Sequence, residues 1–113
     1  MSVSAVVTYR PGVDDDHAPS LLPVATEEVF HRYWLPLADR LDQPTVAAFG
    51  TGVMFQPADF DALRDELSAF IDGVREVIDE GNTAVSPVLE RALLLFDFIG
   101  RLDREHVDEL FIG

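Results

Sequence analysis

An α+β domain is predicted by three observations. Residues Ser2 to Tyr9 alternate in the period-two manner of a strand, residues 60 to 78 repeat apolar side chains at helical spacing, and residues 86 to 102 are richer in apolar groups than a one-sided surface helix needs. The expected architecture is a small antiparallel sheet of two or three strands, covered by helices near 27–41, 57–80 and 86–102. At 113 residues the chain matches one domain spanning 1–113, with a Pro- and Asp-rich loop at 11–24.

In chain order, Ser2–Tyr9 places Val3, Ala5, Val7 and Tyr9 on one face and Ser4, Val6 and Thr8 on the other. Arg10-Pro11-Gly12 stops the strand, and Pro11, Pro19 and Pro23 mark the following stretch as loop. Thr26 suits a helix N-cap, with Glu27 and Glu28 at the positive end of the helix dipole. Val29, Phe30, Tyr33, Trp34, Leu37 and Leu41 then form an apolar stripe. Pro36 removes a donor from that helix and predicts a kink near Arg32 or a split into two pieces.

Thr45 to Phe55 reads as a bent strand pairing with Ser2–Tyr9, its Gly50-Thr51-Gly52 forming a bulge or, alternatively, a hairpin turn. Gln56-Pro57-Ala58-Asp59 opens the best-patterned helix, on which Phe60, Leu63, Leu67, Phe70, Ile71, Val74 and Ile78 share a face. Asp61, Asp65, Asp72, Glu76 and Asp79 occupy its outer side, with Arg64 and Arg75 in reach for pairs at three or four residues. Gly81-Asn82 tolerates the left-handed conformation that ends a helix.

In the last helix Ser86 is the expected N-cap and Pro87 the first helical residue. Val88, Leu89, Ala92, Leu93, Leu95, Phe96, Ile99 and Leu102 make a broad core face, which leaves Leu94 and Phe98 as surplus apolar groups beside a polar stripe. Asp103 to Phe111 is expected to continue as a short helical tail.

Composition narrows the function classes. Nearly half of the residues are apolar, too many for a disordered chain. No apolar run approaches the roughly 20 residues of a membrane-spanning helix, no leader-like segment opens the sequence, and a cytoplasmic protein without membrane contact is expected. There is no cysteine, hence no disulfide or thiolate site. The net charge of −13, with eight Arg and no Lys, argues against a direct grip on nucleic acid. Of the 21 carboxylates 14 lie in residues 57–113, so an acidic surface would be mainly C-terminal. A GC-rich coding sequence or adaptation to high salt explains the same acidity without function.

Local chemistry is sparse. Asp14-Asp15-Asp16-His17 gathers oxygen and nitrogen donors but lacks the alternate spacing, glycine and distal Glu of a calcium loop. Glu28-x-x-His31 and Asp103-x-x-His106 share the i, i+3 spacing of di-iron bundles without the inward-facing acids those need. Gly50-Thr51-Gly52 lacks the further glycines, Lys and immediate helix of a phosphate loop. No Ser sits in a Gly-flanked elbow. No metal, cofactor or catalytic residue is assigned, and the chain is read as leaning away from an enzyme.

The leading expectation is a non-enzymatic protein-binding module, of the kind that immunity proteins, antitoxins and small inhibitors use to cover a basic active site. Asp61, Asp65, Asp72, Glu76 and Asp79 would face the basic partner, with Leu94 and Phe98 as apolar anchors. Two alternatives stand beside it. One is a small-ligand or metal-binding domain or enzyme using the 11–23 loop with His17 or His31. The other is a homodimer whose acidity is compositional background, held by Leu94, Phe98 and a free strand edge.

Overall fold

The computed structural model describes residues 2–12 and 20–113. It is an α+β fold in which four antiparallel strands form one sheet and four helices pack on one of its faces. The strands are β1 (Ser2–Tyr9), β2 (Leu21–Thr26), β3 (Val53–Phe55) and β4 (Val107–Ile112), in the order β2-β1-β4-β3.

Two of these strands replace other expectations. β2 occupies the end of the stretch read as loop, where Pro23 is tolerated because β2 is an edge strand and that position needs no ladder donor. β4 replaces the expected helical tail. Leu110 and Ile112 are buried on either side of the exposed Phe111, the alternation of an extended chain beside β1, and a register shift at Tyr9 lets Val107 be buried as well.

Helix α1 starts at Glu27–Val29, becomes π-helical over Phe30–Trp34 and returns to α-helix at Leu35–Arg40. Thr26 caps it as expected, its hydroxyl oxygen accepting from the Val29 N–H at 3.1 Å. At the place where Pro36 predicted a kink or a split, the helix carries this π turn. Pro36 has no N–H for the Arg32 carbonyl and its ring crowds that oxygen, so the helix widens by one residue and Leu35 donates to Phe30 instead.

The expected bent strand at Thr45–Phe55 is instead mostly helical. Pro44–Ala47 forms the short α2 and Ala48–Gly50 a 3₁₀ turn, because Pro44 favours a first helical position and Val46 and Phe49, three apart, are both buried. Only Val53–Phe55 is extended, and it pairs with β4 rather than β1. Gly50-Thr51-Gly52 is neither bulge nor hairpin. Gly52 takes φ +97° to turn the chain into β3.

Helix α3 (Phe60–Asp79) follows a 3₁₀ turn at Pro57–Asp59, and Gly81 ends it at φ +106° with Asn82 donating to the Val77 carbonyl, a Schellman closure. Helix α4 (Ser86–Gly100) begins one residue earlier than its capping pattern implied. Ser86 is already helical, Val85 holds the cap position, and no side chain caps it.

The buried side chains form one cluster. Trp34 lies at its centre, stacked on Phe70 at 5.4 Å and on Phe30 at 6.1 Å between ring centroids. From α4 it takes Val88, Ala92, Leu95 and Ile99, followed by Leu102, whereas Leu89 and Phe96 are half-buried and Leu93, expected in the core, is exposed.

Candidate functional site

The sheet buries one face under the helices and leaves the other open. Along β1 the inward residues Val3, Ala5 and Val7 are buried, while Val6 and Thr8 are exposed. A polar outer face is the ordinary complement of such an arrangement, and Ser2, Ser4, Thr8 and Glu109 supply part of it.

One cross-strand row breaks that rule. Val6 pairs with Leu21 on one side and with Phe111 on the other, and Phe111 pairs in turn with Met54. Leu21, Val6, Phe111 and Met54 therefore stand side by side across all four strands, each between 38% and 58% exposed. At about 4.8 Å per strand the row is roughly 14 Å long. Single exposed apolar residues are ordinary, but a contiguous row is not.

The row is also held in shape. A Cβ on Gly52 would lie 2.8 Å from the Phe111 ring, and one on Gly113 would lie 2.7 Å from it, so the ring rests on two glycines. Beside the row lie Ser4, Pro23 and Gly113 on one flank and Thr8 and Glu109 on the other.

The acidic residues proposed from sequence share one helix but not one state. Asp61 is held by the Arg104 guanidinium in a two-pronged ion pair, Nη1 reaching Oδ2 at 3.1 Å and Nη2 reaching Oδ1. That hydrogen bonding, followed by the Arg104 charge, lowers the Asp61 pKa and raises that of Arg104. Asp72 approaches Arg75 only at 4.0 Å. The side chains of Asp65, Glu76 and Asp79 are exposed and make no hydrogen bond or ion pair among the described residues. Arg64, expected to pair with them, instead lies 4.2 Å over the Phe96 ring and joins α3 to α4.

Leu94 is 44% exposed, whereas Phe98 is half-buried against the core. The surplus apolar pair on α4 is thus Leu93 with Leu94.

The remaining candidates separate. His31 is exposed, 4.0 Å from Glu27. His106 lies 2.6 Å from Asp103, which also accepts from the Glu105 N–H at 3.1 Å, so the pair closes the turn that feeds β4. The Glu105 amide first, and the His106 ring second, lower the Asp103 pKa. Asp14, Asp15, Asp16 and His17 lie outside the described residues. Among the described residues no group of His, Asp and Glu is placed to hold a metal ion, and no helix is long and apolar enough to cross a membrane.

Sequence reasoning missed the row because two of its four members sit on strands it did not assign. The available signals were Val6 among Ser4 and Thr8, and the alternation from Val107 to Ile112. No family model matches the sequence, and neither the curated proteins nor the solved structures searched gave a match.

Proposed function

We propose that the chain is a non-enzymatic protein-binding module whose recognition surface is the open face of the sheet, and that its partner is basic. The observation that carries this reading is the row Leu21-Val6-Phe111-Met54, contiguous across four strands and exposed in every member. Such a row is the shape of an interface centre, an apolar strip with a polar rim. It would receive one apolar ridge of a partner, such as the stripe of an amphipathic helix laid across the strands.

Charge selects the partner's sign. A net charge of −13, with Glu109 beside the row and Asp65, Glu76 and Asp79 unpaired on α3, attracts a basic protein from a distance and repels acidic ones. The row then supplies the short-range adhesion. Asp61, already satisfied by Arg104, contributes little to that attraction.

The test is affinity capture with the full chain, run beside a Val6→Lys, Met54→Lys variant that keeps the fold but breaks the row. The wild-type chain recovers one basic protein in stoichiometric yield at low salt and less at high salt, and the variant recovers none. Equal recovery by both, or no stoichiometric partner, overturns the reading. A light-scattering mass of a dimer that the same variant reduces to a monomer would assign the row to a second copy of the chain.

A further inference from the structure

Two backbone irregularities meet at one cavity. The β1–β2 register shifts between Val3 and Ser4, which face Ala25 and Pro23, so Val24 has no partner in β1 and is buried. On the other side, the π turn of α1 carries Trp34. Bulges and π turns are the places where regular elements are pried apart, and both recur beside binding sites.

Between them and the first turn of α4 lies a pocket of about 310 Å³, bounded by Pro23, Val24, Val29, Trp34, Pro87 and Arg91. It lies along the β2 edge and includes none of the four row residues, so it stands independently of the row. Its wall is mainly apolar, and its volume is at the lower end of small-molecule sites. At about 30 Å³ per water-sized group it holds roughly ten such groups.

Arg91 gives the pocket its charge. Its Nη1 donates to the Pro23 carbonyl at 3.5 Å, beyond ordinary hydrogen-bond length, and no carboxylate lies within ion-pair distance of it among the described residues. Of the eight arginines, Arg40, Arg75, Arg101 and Arg104 each have a carboxylate and Arg32 and Arg64 lie over aromatic rings, whereas Arg91 faces the mouth of an apolar pocket. A guanidinium at the rim of an apolar pocket matches a carboxylate, whose two oxygens fit its fork.

We infer that this cavity binds a small amphipathic monocarboxylate, the hydrocarbon chain lying against Val29 and Pro87 above the buried Trp34 ring and the carboxylate on Arg91. No carboxylate pairs with Arg91 among the described residues, and charges beyond about 8 Å are screened at physiological salt. Pairing at Arg91 then decides the ligand's sign.

Trp34 is the sole tryptophan, so its emission reports on the cavity directly. The experiment titrates the full chain with octanoate, 1-octanol and octylamine. Octanoate, with eight carbons and two oxygens, gives a saturable change in Trp34 emission and binds at least about tenfold more tightly than either competitor, the factor one charge-assisted pair supplies. Arg91→Gln, at an exposed position, lowers octanoate to the affinity of octanol and leaves octanol unchanged. Val29→Phe, which fills the pocket from α1, removes the response to all three. A smaller preference, no saturable octanoate signal, or native octanoate affinity in Arg91→Gln overturns the inference.

Discussion

Two neighbouring rows of the sheet differ by one residue along each strand and meet opposite fates. The inner row, Leu22-Ala5-Ile112-Val53, lies under the helices, with Ala5 and Ile112 fully buried. The outer row, Leu21-Val6-Phe111-Met54, is equally apolar and faces away from them. Burial in the fold explains the first row and not the second. An apolar outer row even weakens the definition of register, because a one-residue slip would exchange one apolar row for the other. Register is instead pinned by the polar outward residues Ser4, Thr8 and Glu109 and by the irregular pairings near Val3 and Tyr9. The outer row therefore costs specificity without contributing to the core, a cost that the proposed recognition role would account for.

The contrast can be broken by mutation, most strongly on the inner face. Ile112→Ala opens a cavity at a fully buried site and is expected to lower unfolding free energy by about 2–5 kcal/mol in urea denaturation. Gly52→Ala is next, at about 1–2 kcal/mol, because the new Cβ meets the Phe111 ring at 2.8 Å on a backbone of φ +97°. Its effect reports how firmly the outer row is seated. Val6→Ser or Met54→Ser should each shift stability by no more than about 0.5 kcal/mol, as exposed substitutions do, while weakening partner capture. A large stability loss at either position would mean that the outer row is structural.

The smallest effect concerns the turn that feeds both rows of β4. The Asp103 pKa is lowered by the Glu105 amide and the His106 ring, so its contribution to stability is present above the ordinary value of 3.8 and is lost as pH falls through the lower folded value. Asp103→Asn should therefore show a smaller drop in Tm than the wild type on acidification from about pH 5 to about pH 3. An identical drop would remove Asp103 from the account of that turn.

Much of the helical layer was legible from period and capping alone. The stripe from Phe60, the Thr26 cap, the break caused by Pro36 and the Gly81 closure are all local effects, decided within a few residues. The sheet was less legible because pairing partners are distant. Val107–Ile112 is a strand because β1 lies on one side and β3 on the other, and short-range pattern cannot supply that neighbour. Thr45–Ala48 erred in the opposite sense, where Val46 and Phe49 read as strand formers and Pro44 read as the end of the preceding helix rather than the start of a new one. The candidate surface shared this limitation. Leu94 was legible as surplus on its own helix, but the outer row exists only once four strands are in register.

The central claim is that the partner docks on the open face of the sheet, and footprinting tests it most directly. Carbene labelling of the free chain and of its complex with the captured partner should show protection at Leu21, Val6, Phe111 and Met54, with labelling of Leu93 and Leu94 unchanged. Protection confined to Leu93, Leu94 and the carboxylates of α3, with Met54 and Phe111 labelled as in the free chain, would contradict it.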